Sequence, residues 1–458
     1  MIKKIFQATD MTQGTPWKAI AVFSIPMLIG NIAQQLYSTV DSIVVGHYIG
    51  DNALAAVGSA GPVLNMLLAL FIGISAGVSI MVAQFFGARK RKDLSYTIGS
   101  CITMTAIVSL ALMILSPPII KPVLRLLNTP ETILDDCAMY LIVTMVGIAG
   151  MAFYNILSGV LRGLGDSVSA LIYLLVATVI NIILDIFFVA VMGFGVWGVA
   201  LATAIAQAFS SVLCFWKLAH MRHLFDLKKR HLKMSKRHVT RIIKLGMPSG
   251  LTQMIMSSAM ILVQSLTNCF GEMFIAANVI VMRVDGFAMM PNMTFGTAMT
   301  TYSGQNVGAG LHDRVKLGAK QGTIMAVGCS TTITAIILLF GRNLMSIFTD
   351  TPELVDLSMK MMSILAVGYI AVAVTQSLSG VMRGAGDTMT PMWISLFTTV
   401  LFRVPLAYLL SYLTATPELP YGQNIVIQIS LLSSWLLGAI LTTIFFKRGK
   451  WKTKAMKV

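Results

Sequence analysis

Residues 162–192, RGLGDSVSALIYLLVATVINIILDIFFVAVM, decide the fold. An Arg, two glycines and an Asp open the stretch, and from Ser167 to Met192 the only charged residue is Asp185. About 20 mostly apolar residues suffice for a helix to cross a hydrocarbon core, so this is a turn feeding a membrane span. The rest of the chain has the same character. Its 458 residues are 56% hydrophobic and 11% charged, against roughly 45–50% and about 25% in soluble domains. An all-α integral membrane protein is expected, and a soluble enzyme of two or three domains is excluded.

Twelve such stretches occur, near 17–46, 53–85, 95–116, 134–159, 168–192, 196–219, 242–269, 273–303, 316–340, 355–381, 391–413 and 424–446. The polar start has no apolar core or small-residue cleavage site of a secretory signal and reads as a cytoplasmic lead-in. With that end inside, the even-numbered connections hold the basic residues: Arg89 to Lys92, Arg162, Lys228 to Arg237, Arg314, Lys316, Arg383 and the tail from Lys447. The outside keeps only Lys121, Arg125, Arg342 and Lys360. This is the positive-inside pattern, with both termini cytoplasmic in a cell inner (plasma) membrane. It accounts for the net charge of +16 by topology and anionic-lipid contact, and makes nucleic acid a poor partner.

The opening turn recurs. Arg162-Gly163-Leu164-Gly165-Asp166 returns as Arg383-Gly384-Ala385-Gly386-Asp387, 221 residues on, and Pro26 returns as Pro248 after 222. One six-span unit is duplicated. Six is even, so the copies enter from the same side, and two six-helix bundles related by a pseudo-two-fold along the membrane normal follow. The expected organisation is a cytoplasmic segment 1–16, an N-lobe 17–219, a basic linker 220–241, a C-lobe 242–446 and a basic tail 447–458. The two RGxGD motifs read as cytoplasmic turns, glycines giving the bend and Arg and Asp capping helix ends.

The chain resembles the multidrug and toxic compound extrusion (MATE) transporters over essentially its whole length. The likeness rests on Pro26 followed by NIAQQLYSTVD (31–41), on RGLGD leading into Asn181-Ile-Ile-Leu-Asp185, on GVWGVALATAIAQ (195–207), and on the second RGxGD.

The duplication separates scaffold from function. Asp41 lies inside span one, seven and four residues after Gln34 and Tyr37 on one helical face, and its repeat mates are Leu262 or Val263. Asp185 lies four residues after Asn181, and the positions matching the pair are Leu406 and Phe402. With Asn155 and Thr203 they form an oxygen-donor set that only the N-lobe has. An intramembrane carboxylate is a functional candidate by default; the competing reading is a structural polar cluster satisfied by Asn and Thr. The resemblance implies that residues matching Asp41, Asn155, Asn181, Asp185 and Thr203 line a cation site. The branch that uses acids of spans seven and ten is not matched. Carboxyl groups so placed can carry a proton, and carboxylate, amide and hydroxyl oxygens can cage Na⁺. Both coupling ions stay open, and no cofactor is expected.

The expected function is secondary antiport, exporting cationic amphipathic drugs in exchange for H⁺ or Na⁺ by alternating access, as a monomer. Pro26, roughly 22 Å before Asp41 along a helix, is a candidate hinge. Gln34, Tyr37, Met290 and Met293 are candidates for the substrate cavity or its gate, although methionine is also ordinary filler. In the C-lobe, Asp285 and Arg403 are expected to pair, because an unpaired buried Arg is costly. A flippase for a lipid-linked or other amphipathic precursor is the alternative; it calls for a cationic cavity, where this N-lobe offers carboxylates. No nucleophile, base and oxyanion set supports an enzyme. Gly193-Phe-Gly195-Val-Trp-Gly198 matches a dinucleotide fingerprint but joins two apolar spans. Five scattered cysteines fit neither metal site nor disulfide framework. Of the histidines, His220, His223, His231 and His238 fall in the linker and read as solvated.

Overall fold

The computed structural model describes residues 9–126 and 129–453; between residues 36 and 67 several side chains, those of Tyr37 and Asp41 among them, lie outside the described residues. The described residues are helical, with no strand among them. The first half holds α1 (Pro16–Tyr48), α2 (Asp51–Gly87), α3 (Arg91–Leu115), a short α4 (Pro117–Leu126), α5 (Glu131–Val146), α6 (Ile148–Gly163), α7 (Ser167–Asp185) and α8 (Val196–His220). The second half holds α9 (Lys236–Asn268), α10 (Glu272–Gly308), α11 (His312–Ser346), α12 (Pro352–Gly384), α13 (Met389–Ser395), α14 (Arg403–Leu413) and α15 (Val426–Arg448). π-helical turns at Ile186–Val191 and Leu396–Phe402 extend α7 and join α13 to α14.

Among the described residues, ten helical stretches are long and apolar enough to cross a bilayer, and α5 with α6 form an eleventh bent by 52°. The twelfth expected span is α9. Its 33 residues are long enough, but beyond the charged first turns Gln253, Ser257, Ser258 and Gln264 interrupt the apolar stretch and make it more polar than the others. The bend between α5 and α6 falls at Gly147, which sits so close to Ala204 of α8 that a Cβ would overlap that side chain. One turn on, a Cβ at Gly150 would lie 2.7 Å from the backbone nitrogen of Ala208. Lipid tails are as apolar as leucine, so helices in a bilayer associate by close packing, and small residues permit it.

The described chain packs as two compact units. One contains residues 9–10 and Ile25–Gly250; the other contains Met11–Ser24 and residues 251–453. Of the three changes of unit, the two inside helices fall beside a proline, Pro26 in α1 and Pro248 in α9. Each proline deletes a backbone hydrogen bond at that point and loosens the helix.

In the second unit the polar lead-in is docked. Met11 is fully buried; its N–H donates to Gln305 Oε1 at 2.9 Å, and Arg314 donates to the carbonyls of Gln13 and Gly14 at 2.7 and 2.8 Å. In the first unit the basic linker lies on α3. Thr103 donates to the carbonyl of Leu232 at 2.6 Å, and Arg91 bonds Asp226 at 3.0 Å, which holds that carboxyl below its ordinary range. Solvated histidines are expected here, but His231 and His238 are buried against Tyr96, His238 stacking on its ring with centroids 5.9 Å apart. The reason is tertiary: the linker folds back instead of trailing through water.

Both RGxGD motifs close turns, but Asp and Arg divide the work unexpectedly. Asp166 caps α7 by accepting from Ser169 N at 2.9 Å and Ser169 Oγ at 2.7 Å. Asp387 does the same for Thr390, at 3.3 and 2.8 Å. Gly165 and Gly386, at φ 87° and 96°, hold the left-handed conformation that the turn needs. The two arginines, expected as caps, instead line internal cavities, Arg162 in the first unit and Arg383 in the second.

Candidate functional site

The first unit holds the polar residues that the duplication singles out, Asn181 and Asp185 on α7 and Thr203 on α8, with Asn155 apart from them on α6. Asn181 and Asp185 are four residues apart on α7, on one helical face, and both are fully buried. The π-helical turn begins at the residue after Asp185; such turns are rare and frequent at functional sites. Asn181 Nδ2 donates to Thr203 Oγ1 on α8 at 3.4 Å. Carboxylate, amide and hydroxyl oxygens thus come together on two packed helices. Hard oxygen donors of this kind suit a proton or a small hard cation.

Asn155 lies on α6. Its side-chain amide donates back to the carbonyl of Met151 at 2.9 Å, while its own carbonyl accepts from Ser75 and Ser158 at 2.7 and 3.0 Å. With Pro26, Gln34 and Arg162 it lines a cavity of about 90 Å³. The Arg162 guanidinium reaches Ser158 Oγ at 3.2 Å and Ser75 Oγ at 3.4 Å. Pro26 and Gln34 therefore meet Asn155 across a cavity. Tyr37 and Asp41 belong to α1, and their side chains lie outside the described residues.

In the second unit a larger cavity, about 290 Å³, is lined by Asp285, Arg403, Gln428, Trp435 and by Met256, Met260, Met282 and Met289. The expected Asp285–Arg403 ion pair is not found among the described residues. Asp285 instead accepts the hydroxyl proton of Tyr369, on α12, at 2.9 Å. Arg403 opens α14 directly after the second π-helical turn, and its Nε is buried with no hydrogen-bond partner among the described residues. Met290 and Met293 do not line this cavity; the Met293 sulfur accepts from Gln376 at 3.3 Å. Tyr369, Gln428 and Trp435 escape a reading for ionisable groups, although a lone Gln inside an apolar span is a signal of the same kind.

The MatE family profile matches twice, over residues 26–187 and 248–409. The chain belongs to the MatE family. Both matched blocks open on a proline, Pro26 and Pro248, as the internal duplication requires. Among MatE relatives the chain is similar to the probable multidrug resistance protein YoeA of Bacillus subtilis (strain 168), 29% identical over 87% of this chain and 88% of the relative. It is also similar to the probable multidrug resistance protein YpnP of the same strain, 28% identical over 99% of each chain. A solved structure described as an outward-facing conformation of a multidrug resistance MATE family transporter superposes with a TM-score of 0.89 at 25% identity, covering 96% of this chain and 97% of that one. MatE proteins are transporters, not enzymes. The chain is accordingly an all-α, multi-pass membrane protein of the MatE fold.

Proposed function

We propose that this protein exports cationic amphipathic compounds in exchange for H⁺ or Na⁺, the N-lobe carboxylates Asp41 and Asp185 carrying the coupling ion with Asn155, Asn181 and Thr203. The observation that carries the reading is the complete burial of Asp185 beside Asn181, with Asn181 bonded to Thr203. A carboxylate placed so deep costs several kcal/mol, and an entering cation offsets that cost. The membrane potential adds about 2.3 kcal/mol per charge per 100 mV of inward drive. When the ion occupies the acids, a cationic substrate loses its counter-charge and leaves on the far side. The next substrate displaces the ion inward.

Lobes 17–219 and 242–446 alternate access around the prolines of α1 and α9, in the cell inner membrane, with both termini cytoplasmic, as a monomer among anionic lipids. The multidrug names of the relatives support drug-like substrates. The test is direct. Purified protein in weakly buffered detergent solution is mixed with a cationic dye, and H⁺ and Na⁺ are followed by electrode. Stoichiometric release of one of them on dye binding is expected; dye binding with no release of either refutes exchange at shared acids.

A further inference from the structure

The second unit holds a cation that nothing in the reading above uses. Arg403 faces the cavity of about 290 Å³ with Nε buried and without a hydrogen-bond partner among the described residues. Gln428 lines the same cavity, and its Oε1 is buried and unpartnered in the same way. The one carboxylate in the cavity, Asp285, is engaged by Tyr369 at 2.9 Å. A donor and an acceptor therefore face one cavity unpartnered, while Asp285 acts on Arg403 only through space, with no close ion pair among the described residues. An arginine inside a bilayer is expensive unless it is paired, and its planar fork suits a carboxylate. The rest of the wall is mixed: Gln253, Gln264 and Asn278 are polar, while Met256 and Trp435 supply an adaptable apolar part.

We infer that this cavity is a second substrate subsite, which binds the acidic group of zwitterionic amphiphiles. The carboxylate lies on Arg403, an N–H of the ligand donates to Gln428 or Asp285, and the hydrocarbon or ring packs on Met256 and Trp435. A volume of about 290 Å³ accommodates an acidic group with an attached ring. The inference rests on the exporter reading and names the residues of this chain that hold a ligand's acidic group.

The experiment uses the full chain in detergent and two dyes that differ at one group, a rhodamine with a free carboxylate and its ethyl ester, with affinity read by fluorescence polarisation. The free acid is expected to bind Arg403→Met about tenfold or more weakly than wild type, the loss of one charge-assisted contact. The ester is expected to stay within about twofold, and Arg403→Lys to recover part of the acid's affinity. Equal effects on both dyes, or none on the acid, overturn the proposal. If the variants fail to fold, wild type still decides: benzoate should compete with the acid and not with the ester, and competition with both or neither is the contrary result. Wild type that binds the ester but not the acid refutes this subsite and leaves the exporter reading standing. Wild type that binds neither dye refutes both.

Discussion

Asn181 on α7 donates from Nδ2 to Thr203 Oγ1 on α8 at 3.4 Å, one turn before the fully buried Asp185. The bond ties the amide, on the same helical face as the carboxylate, to the neighbouring helix. It also makes the site depend on a residue that carries no charge.

Thr203→Val keeps the shape and removes the acceptor. We expect the ion concentration for half-maximal dye efflux in proteoliposomes to rise by up to about tenfold, the worth of roughly 1 kcal/mol or slightly more for one neutral hydrogen bond. Expression and fold should be unchanged. An unaltered ion dependence would show that Thr203 is only packing.

Asp166 should count for more than its cap. Ser169→Ala removes only the hydroxyl that donates to Asp166 at 2.7 Å and should lower the thermal midpoint modestly, by about 1 kcal/mol or slightly more. Asp166→Ala removes the cap, a loss of about 1 kcal/mol, and also a partner of the mostly buried Lys217, 3.5 Å away, so its midpoint should fall further. Equal shifts in a thermal-melt assay would contradict the contribution of Lys217.

Glycines should sort by what a Cβ would meet. At Gly384 it would overlap Ser303 Oγ and the carbonyl of Thr300, whereas at Gly328 nothing lies within 4 Å. Gly384→Ala should cost about 1–3 kcal/mol by overpacking and reduce the yield of monodisperse protein. Gly328→Ala should be neutral or stabilising. The reverse order in size-exclusion and melting measurements would show the α10–α12 packing to be wrong.

The linker dock should weaken in acid. His238 precedes the apolar part of α9; burial holds its imidazole below the usual value, and Asp93 at 3.5 Å only partly offsets this, with Arg237 and Arg241 lowering it further. Because the folded value lies below the unfolded one, near 6.5, the unfolded linker takes the proton first as pH falls. The contribution is therefore complete above about pH 7 and is lost as pH drops through about 6.5 and below. Amide exchange over residues 228–238, corrected for intrinsic rate, should rise between about pH 7.5 and 5.5. His238→Gln should flatten the response, and wild-type protection that is constant over this range contradicts the assignment.

Most of the architecture is legible in the sequence because a bilayer leaves few choices: every span must be a helix of some 20 residues. Even α9, the most polar, is found as an apolar stretch over 242–269. What the sequence hides depends on contacts between distant residues. The bend at Gly147 coincides with its close approach to Ala204, and the docking of Met11 needs Gln305, 294 positions away. The burial of His231 and His238 requires the linker to return to Tyr96. At the site, the pairing of Asn181 and Asp185 is visible in their spacing of four. Tyr369 as the partner of Asp285 is not, since 84 residues separate them and a tyrosine in a span gives no charge signal. The π-helical turns beside Asp185 and Arg403 leave no trace in apolar periodicity either.

The central claim is that Asp185 carries the coupling ion. Its most direct test is the initial rate of cationic-dye movement in proteoliposomes under an imposed H⁺ or Na⁺ gradient, with Asp185→Asn beside wild type at matched insertion. The account predicts that the variant moves dye at the no-gradient rate whichever ion is used. Full gradient-driven transport by Asp185→Asn would contradict it.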